Sequence, residues 1–219
     1  MSAAGFFGKV PSRGDFVQRA LPPTFVTPWD RWLQAGIAGS KETLGDAWLE
    51  VYLTSPVWRF AFSAHLVGEL AAAGVLIPSV DAAGRYFPFT IATVLPAETA
   101  PVEIRAKTSW FDDAEGLAVA VLEEDAALDD LVSGVEALGG LKLEPPAPPD
   151  ADGCRLCDAE DGLCRMLGRA APPHGLFWTR GSRLVQPSLR LVWQLPSRRR
   201  FVALLDGAWE AHGWPEAGP

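Results

Sequence analysis

The sequence predicts an α/β domain in which helices cover a single sheet in layers, and three observations carry that expectation. Stretches of helical period alternate along the chain with short aromatic and β-branched runs. These runs recur on both sides of a proline-rich interruption at about 139–153, so they read as one sheet in one domain spanning 1–219. The 219 residues are 48% hydrophobic and include nine Trp and eleven Phe, enough for one large aromatic core.

The first strand candidate, Gly5-Phe6-Phe7-Gly8, runs straight into Lys9-Val10-Pro11-Ser12-Arg13-Gly14-Asp15. Gly8 and Gly14 can take positive φ and Pro11 removes a donor, so the chain leaves any ladder after Val10 and bends. Lys9, Ser12, Arg13 and Asp15 then sit as polar groups on a rigid base, where loops usually carry function. The plainer reading is a solvent-side Arg13–Asp15 pair worth under about 1 kcal/mol. The segment lacks the glycine spacing of a phosphate-cradling loop, and Val10 stands where Ser or Thr would ligate magnesium. As an adhesion tripeptide, Arg13-Gly14-Asp15 would need an extracellular setting, and no signal-peptide pattern provides one.

The first helix is expected to start at Thr27 as N-cap, with Pro28 at its first position and Trp29, Trp32, Leu33 and Ile37 as its apolar stripe. A second is expected over 41–51, capped by Ser40, with Leu44, Ala47, Trp48 and Val51 on one face. After Pro56, Trp58, Phe60 and Phe62 alternate with Arg59 and Ala61, as in a strand buried on one side. The runs 74–80 and 87–95 read as antiparallel strands joined by a short polar connection at 81–86. There Asp81 can cap its own turn, Gly84 supplies an unusual backbone angle and Arg85 projects a guanidinium. If both turns lie at one end of the sheet, Arg13, Asp15, Asp81 and Arg85 interlock as a mixed ion network that fixes a binding surface.

Helices follow over 106–122 and through Leu128, Leu131, Val132, Val135 and Leu138. Their outer faces carry an acidic set including Asp112, Asp113 and Glu115, which reads as solvated surface. Segment 139–153 is a stiff linker or excursion, and a variable stretch runs on to about 174. Strands are expected at 176–179, 189–195 and 201–205, with Pro196-Ser197-Arg198-Arg199-Arg200 as a turn between the last two.

A net charge of −8 disfavours nucleic acid or an anionic membrane as partner and leaves a protein or a basic ligand. No apolar run approaches the roughly 18 residues of a membrane span, and the expectation is a soluble cytoplasmic protein. Cys154, Cys157, Cys164 and His174 supply four possible zinc ligands, but the second pair is not in knuckle spacing and inert thiols are the plainer reading. No cofactor is implied. A hydrolase reading would use Asp15, Asp81 and His65 as acid, base and anion binder, although no Gly-x-Ser-x-Gly elbow and no acidic cluster with metal spacing accompanies them.

The run from Gly5 to Val17, together with Pro28-Trp29-Asp30-x-Trp32-Leu33-Gln34, Ser55-Pro56-x-Trp58-Arg59-Phe60 and Pro78-Ser79-Val80-Asp81-x2-Gly84-Arg85-Tyr86-Phe87-Pro88, resembles the TagF (ImpM) family in order and spacing. Later blocks, Trp110-Phe111, Phe177-Trp178-Thr179 and Leu204-Leu205-Asp206-Gly207-x-Trp209, are similar too; only about 139–174 carries no match. The resemblance implies a three-layer α-β-α sandwich with a central mixed, largely antiparallel sheet. It also implies a non-enzymatic accessory of the bacterial type VI secretion system, a post-translational repressor that binds the forkhead-associated scaffold protein of the apparatus. The family brings no catalytic set, so Lys9, Ser12, Arg13, Asp15, Asp81 and Arg85 stand as partner-binding candidates on chemistry alone.

Overall fold

Seven short strands join into one sheet: β1 (Ala4–Gly8), β2 (Val17–Arg19), β3 (Trp58–Phe62), β4 (Ala71–Ile77), β5 (Phe89–Leu95), β6 (Gly175–Thr179) and β7 (Ser188–Val192), in the order β2-β1-β5-β4-β3-β6-β7. The computed structural model describes residues 3–123, 125–143 and 174–215. Every pairing among the described strands is antiparallel, so the mixed sheet expected from the resemblance is not what forms. Strands β3, β4 and β5 are consecutive and pair in turn, which short connections allow only in antiparallel order.

Alternate residues along the strands feed two separate cores. One contains Phe7, Trp58, Phe60, Phe62 and Phe177, packed with Phe25, Trp29 and Leu33 of α1 (Pro23–Leu44), Trp48 and Tyr52 of α2 (Trp48–Leu53), and Phe201 and Leu204 of a C-terminal helix (Arg198–Asp206). The other contains Phe6, Val75, Ile77, Phe89 and Ile91, packed with Ile104 of α3 (Pro101–Arg105), Phe111, Ala114 and Ala118 of α4 (Thr108–Ala120), and Leu131 and Val135 of α5 (Leu128–Leu138). The C-terminal helix is α6 hereafter. Among the described residues no helix is long and apolar enough to cross a membrane.

Three expectations about the helices need correction. Helix α1 begins at Pro23, not Thr27: Pro22 is extended, Pro23 occupies the first turn, and Pro28 lies inside the helix. A proline near the start forfeits few helical donors, so burial of Phe25 and Val26 wins over the cap signal at Thr27. The same helix then runs through Ser40, which caps nothing; its buried hydroxyl donates to the Ile37 carbonyl (2.9 Å) and accepts from Trp48 Nε1 (2.8 Å). The run 201–205 is helix, not strand. Ser197 Oγ accepts from the Arg200 amide and Gly207 closes the C-terminus at φ 73°, so the arginines expected in a turn form the first turn of α6.

Strand β3 is buried along its whole length, which corrects the one-sided reading. Its second face turns Arg59 inward, and the Arg59 guanidinium is met by Glu115 (Nε to Oε2 2.8 Å, with Nη2 on the same oxygen) and by Asp112 (2.7 Å). Asp112 also receives Arg180. The Arg59 hydrogen bond holds the Asp112 carboxyl below the usual range, against the opposing effect of burial. Two carboxylates read as solvated helix surface are therefore the counter-ions of a buried arginine. Arg59→Ala is expected to cost about 2–3 kcal/mol, less than a fully enclosed pair because Asp112 reaches solvent and keeps Arg180. A shift in the urea midpoint measures it, and Arg59→Met, which restores the aliphatic stem, recovers part of the loss.

Candidate functional site: two interlocked turns

Strand register brings the two polar turns to one end of the sheet. Gly8, the last residue of β1, lies opposite Phe89, the first of β5, and Phe89 lies opposite Ile77, the last of β4. Segments 9–16 and 78–88 therefore leave the sheet side by side. Gly8 has φ 139°, and a Cβ there would run into the Pro88 carbonyl oxygen, so the crossing needs a glycine.

Main-chain and side-chain bonds then lock the turns together. The Ser79 hydroxyl donates to the Lys9 carbonyl (2.7 Å), and the Ala82 amide donates to the Arg13 carbonyl (2.9 Å). Tyr52 Oη accepts from the Ser79 amide and donates to its carbonyl, both at 2.9 Å; burial pushes the pKa of this phenol up. Gly84 adopts φ 76°, closing the second turn, and the Gly84 amide donates to the Asp81 carbonyl (2.9 Å).

Asp81 is the centre of the lock. Its Oδ2 accepts from Lys9 Nζ and Arg85 Nε, each at 2.7 Å, and its Oδ1 from the amides of Ala83 (3.0 Å) and Arg85 (2.8 Å). Burial alone would raise this carboxyl, but the Lys9 ammonium, the Arg85 guanidinium and the two amides outweigh it and hold the pKa well below the usual carboxylate range. Arg85 also donates to the Gly14 carbonyl, and its Nη2 lies 3.8 Å from Asp15 Oδ1.

The six candidates divide by position. Lys9 and Asp81 are buried, so they brace the turns and cannot be touched by a partner. Ser12 keeps a buried hydroxyl without a hydrogen-bond partner among the described residues. Arg13, Asp15 and Arg85 face solvent; the Arg13 side chain has no partner among the described residues, while its main chain is pinned at both amide and carbonyl. Arg13 thus joins the expected network through its backbone and leaves its guanidinium free. Aromatics near the turns are expected anchors, and the one the structure exposes is Phe16, not among the six named candidates: it is 46% exposed, stacks on Phe7 at 5.5 Å, meets Phe87 edge-on at 4.8 Å and lies under Lys9 Nζ at 5.2 Å. Its only sequence signal is an aromatic placed directly after the polar turn.

His65 does not join Asp15 and Asp81. It sits exposed at φ 70° in the connection between β3 and β4, whereas Asp81 follows the other end of β4. Seven residues of strand, at about 3.3 Å each, hold them roughly 20 Å apart, so the three residues of the hydrolase reading form no single centre. Cys154, Cys157 and Cys164 lie outside the described residues. His174 is buried, and its backbone pairs with Ser63. Among the described residues no group of three His, Cys, Asp or Glu is arranged to hold a metal ion.

The chain belongs to a protein family associated with the type VI secretion system. That family is TagF: the model of the TagF N-terminal domain, type VI secretion system-associated, matches residues 5–138, which include both turns and the sheet end that carries them. The fold is similar to the crystal structure of PA0076 from Pseudomonas aeruginosa PAO1, with 35% sequence identity, a TM-score of 0.84, and coverage of 99% of this chain and 97% of that one. No curated protein matches the chain.

Proposed function

We propose that this chain is a non-enzymatic negative regulator of type VI secretion, acting in the cytoplasm by occupancy: its two-turn face captures a component of the apparatus and keeps it from joining assembly or firing. The forkhead-associated scaffold protein, the partner implied by the family resemblance, is the component we assign to it. A three-layer α-β-α sandwich serves this role as a rigid mount. The observation that carries the reading is the contrast within the turns, where a buried Lys9–Asp81 pair fixes the backbone while Arg13, Asp15, Phe16 and the outer end of Arg85 stay exposed. A planar guanidinium and an aromatic ring held ready on a rigid loop are the usual anchors of protein recognition, because little entropy remains to be lost on binding. A pull-down from lysate of a secreting bacterium tests it: wild type is expected to retain the scaffold protein, and a variant with Arg13→Ala and Arg85→Ala to lose it. Equal retention by both, or no secretion component with wild type, overturns the assignment.

A further inference from the structure

The far edge of the sheet carries a second surface, independent of the two turns. Among the described residues strand β7 pairs with β6 alone, and its outward alternation leaves Leu189 45%, Leu191 47% and, just past its end, Trp193 59% exposed. An exposed apolar edge of this kind is what folded proteins avoid unless another strand pairs with it. The opposite edge shows the usual protection: β2 is three residues long and exposes Gln18 and Arg19.

Charge selects what fits this edge. Between residues 175 and 205 the chain has six arginines and no Asp, Glu or Lys, so the acidic excess of the protein lies elsewhere. Three of the six bond no carboxylate among the described residues. Arg190 lies over the Trp209 ring at 4.0 Å with its Nε lacking an acceptor, and exposed Arg199 and Arg200 donate to the carbonyls of Ala211 and Gly213. Arg200 also lines a cleft with Trp193, Leu195 and Trp214 at the end of the strand. A second copy meeting edge to edge would set these cations against their own kind, which disfavours a symmetric pair.

We propose that β7 is a strand-addition site for an extended segment of another protein that alternates acidic and apolar residues. The main-chain ladder supplies register, Leu189, Leu191 and Trp193 take the apolar side chains, and Arg190 and Arg200 take the carboxylates.

Fluorescence anisotropy with the full chain tests this, using a labelled peptide of about ten residues alternating glutamate and valine beside a matched peptide alternating lysine and valine. The acidic peptide is expected to bind at least about tenfold more tightly, to weaken with added salt, and to slow amide exchange across 188–193. Leu191→Lys, at an exposed position, and Arg200→Glu are each expected to cut that affinity at least about tenfold with an unchanged melting temperature, while the pair Arg13→Ala and Arg85→Ala binds the peptide as wild type does. Equal binding of the two peptides, binding that survives both edge variants, or exchange protection elsewhere overturns the proposal. So does a sedimenting dimer that Leu191→Lys dissociates, which would assign the edge to a second copy.

Discussion

Alanine at both Arg13 and Arg85 is expected to release secretion while leaving the protein folded. The Arg13 side chain makes no hydrogen bond, ion pair or ring contact among the described residues, so its truncation is expected to cost the fold little. Arg85 is 57% exposed, and without it Asp81 keeps Lys9 and the amides of Ala83 and residue 85. With the guanidinium in water and the buried Asp81 still held by Lys9, the loss is expected to be about 1 kcal/mol, which in a chain of this size moves the melting temperature by roughly 2–4 °C. Capture should suffer far more. A guanidinium buried by a partner costs more than about 2 kcal/mol when truncated, and that alone weakens binding about 30-fold. Phe16→Ala is expected to weaken capture by a similar factor, at the added cost of its stacking on Phe7 and Phe87. Secretion assays in cells carrying these variants, with melting curves of the purified proteins, separate the two effects. Wild-type repression by a folded double variant would end the claim that this face does the docking.

Those residues were legible as a group because their turn chemistry is local. Gly8, Pro11, Gly14, Asp81 and Gly84 announce bends wherever they stand, and the runs 74–80 and 87–95 announce a hairpin by their strand propensity and short polar connection, although β4 lies three residues earlier, at Ala71–Ile77. Their division of labour was not legible. Lys9 and Asp81 are 72 positions apart, and only the register of β1, β5 and β4 turns a cation and a carboxylate from two loops into one buried pair. The same limit applies to Arg59, whose partners Asp112 and Glu115 look like a solvated helix face until α4 packs on the sheet beside β3. Phe16 fails for the opposite reason: Val17 beside it is buried, and alternation cannot say which of the two points outward when β2 is only three residues long. The helix at 198–206 shows how short apolar runs mislead. Five consecutive buried residues carry no period, and the deciding signals were the Ser197 cap and Gly207 that flank them.

Asp81→Asn is expected to remove the lock and, with it, both stability and capture. The substitution keeps the shape but sets an amide against the donors of Lys9 and Arg85, and it leaves the Lys9 ammonium enclosed without a counter-charge. A melting temperature lower by roughly 5–10 °C at neutral pH follows from the cost of an unpaired buried charge. The pH dependence identifies the cause. Because the folded carboxyl titrates below its unfolded value of about 3.9, wild type holds the full advantage above that pH and loses it as the medium is acidified through the folded value. The gap between wild type and variant should therefore be level from neutral pH down to about 4 and close below it, since the asparagine has no proton to gain. Faster amide exchange at Ala83 and Arg85 should accompany the neutral-pH loss. A gap unchanged by acid, or an Asn variant as stable as wild type, would show that the carboxylate does not hold the turns. Paired with Arg13→Ala and Arg85→Ala, this variant separates mounting from contact, because capture falls with stability when the brace is cut and without it when the exposed anchors are removed.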